Sequence, residues 1–227
     1  MDQSNTIKKT HLTEDGSHTF YIKELDEYYH SIHGAIQESN TVFINAGLKA
    51  IDKTEITIFE MGFGTGLNAF MTFLEAQQNN LKINYYTIEA YPISLEEAKL
   101  LNYHKELNAE TEREIFLKMH DCPWNESIKV SENFIIHKIK KEIENLKSND
   151  LPTVDLIYFD AFAPSAQPQL WEKGILKLMY DILKKNGLLT TYCAKGVFKR
   201  TLKEVGFEVE SLPGPIGKRE MTRAIKL

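Results

Sequence analysis

From residue 55 onward, short apolar runs alternate with amphipathic stretches. Ile56-Thr-Ile-Phe-Glu-Met61 is an apolar run closed by glycines, and Leu67 to Gln78 has the apolar spacing of a helix. Ile83 to Glu89 reads as a second strand. Ser94, with Glu96 and Glu97 in the first turn behind it, predicts a capped helix reaching about Leu107. Phe134 to His137 is a third strand, followed by an expected helix from about Lys140 to Leu146. Val154 to Asp160 is a fourth strand, Trp171 to Leu183 a helix, and Gly187 to Cys193 a fifth strand. Strands separated by helices of about 10 to 15 residues imply βαβ units, and right-handed crossovers then place parallel strands between helices on both faces.

The two ends depart from this rhythm. After a helix expected from Val197 to Val205, Gly206 to Leu212 and Arg219 to Ile225 read as strands joined through Pro213-Gly-Pro215, a link so short that they must pair antiparallel. Residues 1–53 are a polar, aromatic-rich lead-in, with short strands expected at His18 to Lys23 and Tyr28 to Ser31 and a turn near Gly34. The expected organisation is an N-terminal extension or flap (1–53) and a main domain (54–227). A doubly wound α/β sheet finished by a hairpin is similar to the class I methyltransferases, whereas a dinucleotide dehydrogenase is expected to continue in βαβ units.

Composition narrows the class. With 227 residues, 42% hydrophobic and 26% charged, the chain suits one globular α/β domain, which excludes disordered and fibrous architectures. No apolar run approaches the roughly 20 residues needed to cross a bilayer. The opening MDQSNTIKKT lacks the apolar core of a signal peptide, so a cytoplasmic protein is expected. Cys122 and Cys193 form neither a disulfide framework nor a metal pair, and the seven histidines show no metal-ligand spacing. The net charge of −5 is unevenly spread: residues 184–227 hold ten Lys/Arg against four Asp/Glu. That basic end permits an anionic partner, though a solvated basic face gives the same count.

The glycine loop Glu60-Met-Gly62-Phe-Gly64-Thr65-Gly66-Leu-Asn68 carries the candidate chemistry. A strand, a glycine turn and a helix in that order expose backbone N–H groups to a ligand. The third glycine of a dinucleotide fingerprint is replaced by Leu67, and Glu60 would repel a pyrophosphate. No Gly-Lys-Ser/Thr follows, so a phosphate-binding P-loop is excluded. S-adenosylmethionine suits the loop better, because its sulfonium and ammonium favour an acid at the strand end and its carboxylate a helix N-terminus. Glu89 ends the next strand, where a carboxylate can accept hydrogen bonds from both ribose hydroxyls. At the end of the fourth strand, Asp160 can orient an acceptor N–H and take its proton, and Phe162 offers a flat face to a planar ring; Asp160 as a plain turn former remains the alternative.

At Phe159-Asp-Ala-Phe-Ala-Pro-Ser-Ala-Gln-Pro-Gln-Leu-Trp171 the chain resembles the methyltransferase half of the MnmC family, which builds 5-methylaminomethyl-2-thiouridine at the tRNA wobble position. The glycine loop, Gly196-Val-Phe-Lys-Arg200, Gly206-Phe207 and Gly217-Lys-Arg-Glu-Met221 match as well. Tyr29-His-Ser31, Gln37-Glu-Ser39 and Val42-Phe43 fit more loosely. The resemblance implies S-adenosylmethionine-dependent N-methylation of 5-aminomethyluridine in tRNA. By it, Glu60, Gly62, Gly64, Thr65, Gly66, Asn68, Glu89 and Asp160 hold the cofactor, and Asp160 and Phe162 meet the acceptor. Lys195, Lys199, Arg200, Lys218 and Arg219, with Lys203 and Arg223 nearby, are expected to contact the anticodon stem-loop, whose wobble base is already unpaired. No metal is implied. Two departures stand out. His137-Lys138 falls where the family places Gly-Asp after the third strand, so either the adenine-side contact differs or the correspondence shifts there. With the chain ending at Leu227, the flavin-dependent half is expected to be lacking, and a separate flavoprotein becomes a candidate partner. Alternatives are a methyltransferase of small amines and a non-catalytic cofactor-binding subunit.

Overall fold

The computed structural model describes residues 8–227; residues 1–7, and with them most of the opening segment weighed as a signal peptide, lie outside the described residues. The lead-in forms β1 (Lys8–Leu12), β2 (His18–Ile22) and β3 (Glu27–Tyr28), a small antiparallel sheet. Helix α1 (Ala35–Ser39) then runs into a π-helical turn at Asn40–Asn45 whose Val42, Phe43 and Ile44 are buried. The main sheet starts with β4 (Glu55–Met61), followed by α2 (Leu67–Asn79), β5 (Lys82–Glu89), α3 (Leu95–Ala98), α4 (Tyr103–Glu106), α5 (Arg113–Asp121), β6 (Ser127–Ser131) and β7 (Phe134–Lys140). It continues through β8 (Val154–Phe159), α6 (Lys173–Ile182), β9 (Leu183–Thr191), α7 (Gly196–Val205), β10 (Glu208–Pro213) and β11 (Glu220–Ile225).

Strand order is β10-β11-β9-β8-β4-β5-β7-β6, with β9, β8, β4, β5 and β7 parallel and the end strands antiparallel. The chain winds outward from β4 in one direction through β5 and β7, then in the other through β8 and β9. The topological switch point therefore lies between β4 and β8, where the two strand ends diverge and leave a crevice. Every residue of β8 is buried, as a strand covered on both faces requires. One apolar layer packs α2, α5 and the π-helical turn on one face, and a second packs α6 and α7 on the other. Among the described residues no helix is long and apolar enough to cross a membrane.

Several sequence expectations are corrected here. The helix expected over 94–107 breaks in two. Ser94 caps α3 with a reciprocal capping box, Ser94 N donating to Glu97 Oε2 at 2.7 Å and Glu97 N to Ser94 Oγ at 3.1 Å. The break comes at Asn102, whose side chain accepts from His18 N at 2.7 Å and donates to Gly16 O at 2.8 Å, tying this segment to the small sheet. The helix expected at 140–146 is a 3-10 turn, Ile143–Asn145, because buried Ile143 and Leu146 sit three residues apart and β7 runs on to Lys140. The strand expected at Tyr28 to Ser31 shortens to β3. Neither α5 nor the edge strand β6 is anticipated from the sequence, although Phe116 and Met119 of α5 are fully buried.

Candidate active site

The crevice between β4 and β8 opens into a cavity of about 680 Å³, within the usual size range of small-molecule and cofactor sites. Its floor is the glycine loop. Gly62 N and Phe63 N donate to Ile88 O at 3.1 and 3.2 Å, while Asp160 N donates to Met61 O at 3.1 Å, so the ends of β4, β5 and β8 are stitched together around the loop. Gly62 has φ +94°, and a Cβ there would lie 2.5 Å from the Asp160 carbonyl oxygen. Gly62→Ala should therefore destabilise the protein by about 1–3 kcal/mol and widen the loop, which thermal melting and cofactor titration would both register.

The expected residues separate by depth. Gly62, Gly64, Thr65, Asn68, Glu89, Asp160 and Phe162 line the cavity, whereas Glu60 and Gly66 do not. Glu60 is completely buried behind the loop, its Oε2 accepting from Thr87 Oγ1 at 2.8 Å. That corrects the expectation of a wall carboxylate: burial pushes the Glu60 carboxyl well above its ordinary range, with the charge of Asp160 adding to the effect. Glu60 Oε1, Asn68 Oδ1 and Tyr85 Oη are all buried, and Asn68 and Tyr85 both lie within hydrogen-bonding reach of Glu60. On its other side Asn68 Nδ2 donates to Asp160 Oδ2 at 2.8 Å.

Burial, and then the charge of Glu38, push the Asp160 carboxyl up to about 7, against the lowering pull of Asn68 and Lys218. Phe162 stands edge-on to Tyr29, ring centroids 5.2 Å apart. Glu89 sits in the opposite wall. Its Oε2 accepts from Gly64 N at 3.0 Å and its Oε1 from Tyr91 N at 2.9 Å, and Ala90 N is a third backbone donor to the same carboxyl. Thr65 turns its hydroxyl inward to accept from Tyr103 OH at 3.0 Å, so only its remaining surface serves the cavity. Beneath it, His120 Nε2 donates to Thr65 O at 3.1 Å. Burial, reinforced by Lys138, lowers the His120 pKa to about 3, so that ring is neutral.

His137-Lys138 does not reach the site. Both lie inside β7, where Lys138 is fully buried, donates to His120 O at 2.6 Å and stands 4.5 Å from the centre of the Trp124 ring. The cavity wall on that side is formed by Lys141 to Glu144, immediately after β7.

The lead-in supplies wall residues that sequence reasoning missed: Tyr29, His30, Ser31 and Glu38. Their signal was the Tyr28-Tyr-His-Ser31 cluster just before Gly34. His30 is held neutral, burial lowering its pKa to about 4.

The basic residues divide as well. Lys195, Arg200 and Arg219 are exposed, as is Lys203. Lys199 pairs with Glu220 at 2.9 Å, Arg223 pairs with Glu210 at 2.6 Å, and Lys218 lies in the cavity wall. Cys122 and Cys193 are buried and free. Among the described residues no group of three or more His, Cys, Asp or Glu is placed to hold a metal.

A parallel sheet wound outward from β4, a glycine loop at its switch point and an acid ending the neighbouring strand define a Rossmann-like site for a nucleoside-bearing ligand. Residues 102–227 match the family described as S-adenosyl-L-methionine-dependent methyltransferase, and the chain belongs to that family. Over 95% of its length it is 28% identical to the tRNA 5-methylaminomethyl-2-thiouridine biosynthesis bifunctional protein MnmC of Pseudoalteromonas translucida, of which the match covers 36%. The protein of the same name from Ralstonia nicotianae is 29% identical over 99% of this chain and 35% of its own. The chain thus spans about a third of the length of these relatives. Among solved structures it is similar to MnmC2 from Aquifex aeolicus, with a TM-score of 0.74 and 26% identity, covering 97% of this chain and 70% of that one.

The walls fit the family's cofactor. The glycine floor leaves no side chain where Gly62 passes Asp160. Glu89 lines the cavity as an acceptor that hydroxyls can meet, and the volume admits a nucleoside with an amino-acid tail.

Proposed function

We propose that this protein N-methylates the aminomethyl group of 5-aminomethyluridine, with or without 2-thiolation, at the tRNA wobble position. The observation that carries the reading is Asp160: a carboxyl in the cavity wall at the β8 end, hydrogen-bonded by Asn68, beside the aromatic pair Phe162–Tyr29. Near-full coverage by the methyltransferase part of the MnmC relatives supports the same substrate.

In this reading Gly62, Gly64, Thr65 and Asn68 border the cofactor and Glu89 accepts from its ribose. Glu60 contributes from behind, by holding Asn68. S-adenosylmethionine, when bound, supplies a sulfonium-borne methyl carbon whose bond to sulfur breaks as its bond to nitrogen forms. The protein's own task is to present a neutral amine in line. An alkylamine arrives as an ammonium, so Asp160 takes one N–H proton and frees the lone pair. Phe162 and Tyr29 flank the uracil ring and fix its angle, which is how alignment lowers such a barrier. Residues 1–53 serve as an extension that closes the acceptor side of the 54–227 methyltransferase domain. Exposed Lys195, Arg200 and Arg219 attract the anticodon stem-loop. The charges of Lys195 and Lys218 reach the carboxyl of Glu27, which lines the cavity. The setting is the cytoplasm, and a separate flavin-dependent oxidoreductase is the partner that would supply the aminomethyl precursor.

Nucleoside mass spectrometry tests this. Purified protein is incubated with labelled methyl donor and tRNA from cells lacking the modification. Label in 5-methylaminomethyluridine, and none in free alkylamines, is the expected result. Label in free amines with none in tRNA would mean a small-molecule enzyme.

A further inference from the structure

One wall of the cavity already holds a primary ammonium, and it belongs to the chain itself. Lys218, in the turn between β10 and β11, places Nζ 2.5 Å from Glu38 Oε1 and 3.9 Å from the centre of the Tyr192 ring. Glu38, Tyr192 and Lys218 line the same cavity as Asp160, and the charges of Glu38 and Lys218 both reach the Asp160 carboxyl.

The two groups that hold the ammonium are themselves fixed. The Glu38 side chain is only 8% exposed, its Oε2 accepts from Ser31 N at 2.9 Å, and the buried π-helical turn that follows anchors its backbone. Tyr192 donates its hydroxyl to Ala161 O at 2.7 Å, which sets the plane of its ring. A buried carboxylate beside an aromatic face is a pair of groups suited to binding alkylammonium ions.

We infer that Glu38 and the face of Tyr192 form the docking cup for the acceptor's aminomethyl ammonium, and that Lys218 fills it as a stand-in until the substrate arrives. The inference rests on reading the protein as a methyltransferase of an RNA-borne amine. On entry, the acceptor's ammonium replaces Lys218 against Glu38 and Tyr192, next to the Asp160 that takes its proton. The released Lys218 ammonium moves to a phosphate of the same RNA. The exchange conserves charge, since one cation leaves the cup as another enters and the displaced one gains an anion. A free alkylamine brings no phosphate, so it strands Lys218 without a partner. The cup thereby favours amines carried on a polyanion over free ones.

The test uses the full chain and methylammonium chloride, with binding read by saturation-transfer NMR against sodium chloride at matched ionic strength. Lys218→Met vacates the cup while keeping an apolar stem, and should bind methylammonium about tenfold more tightly than wild type. Adding Glu38→Gln should abolish that gain. Adding Tyr192→Leu instead should reduce it, which keeps the test decisive if the Glu38 double variant melts early. Equal binding by wild type and Lys218→Met, or a gain that survives both second substitutions, overturns the inference. This arm needs no turnover. If wild type fails to methylate tRNA while the Glu38-dependent gain is present, the RNA reading falls and the cup stands; methylation without the gain leaves the RNA reading and removes the cup.

Discussion

Asp160→Asn should lower kcat by about 10²- to 10⁴-fold, the usual contribution of a positioned acid or base, while S-adenosylmethionine affinity stays within about threefold of wild type. The amide keeps the shape and can still meet Asn68, but it cannot take a proton. Parallel losses of turnover and cofactor affinity would instead make Asp160 a cofactor ligand. Wild type carries a further signature. A base must be ionised to act, and the Asp160 carboxyl titrates at about 7, raised first by burial and then by Glu38. Wild-type kcat should therefore climb as pH rises through about 7 and flatten above it.

For stability the same shift works in the opposite direction. Between the ordinary value of 3.8 and about 7, the folded chain retains a proton that the unfolded chain has lost, so stability falls as pH rises across that window. Asp160→Asn removes this component. The melting temperature of the variant relative to wild type should rise from about pH 4 to about pH 7. A difference independent of pH would show that the Asp160 carboxyl is not raised.

The second large effect is expected at Glu89. Glu89→Ala removes a half-buried carboxylate and leaves Gly64 N and Tyr91 N without their acceptor. Losing charge-assisted hydrogen bonds of about 1.5–3 kcal/mol should weaken S-adenosylmethionine binding roughly 10- to 100-fold. With cofactor saturating, kcat should recover most of its wild-type value. Calorimetric titration separates the two, and unchanged affinity would remove Glu89 from the cofactor wall. Glu89→Gln keeps an acceptor for one of the two N–H groups and should fall between.

Some of this site is written in short stretches of chain and some is not. The β4 loop could be read because an apolar run closed by three alternating glycines has few other uses, and Asp160 because it follows a strand apolar enough to be covered on both faces. The closing hairpin could be read from Pro213-Gly-Pro215. Glu38 and Tyr29 reach the cavity only through tertiary packing of the lead-in, which no local period records. The same kind of contact broke the expected helix at Asn102, where side-chain hydrogen bonds to Gly16 and His18 outweigh helix propensity. Depth was invisible too. Glu60 and Lys138 look like surface charges on strands, yet both are fully buried and hydrogen-bonded to neighbours far away in sequence, Thr87 for one and His120 for the other.

The most direct measurement is a crystal structure of the protein with S-adenosylmethionine bound. The ribose hydroxyls are expected on Glu89, the amino-acid tail over the glycine loop, and the methyl carbon facing the space between Asp160 and Tyr192. A methyl group directed away from Asp160, or a phosphate-bearing ligand taking the glycine loop in its place, would contradict this arrangement.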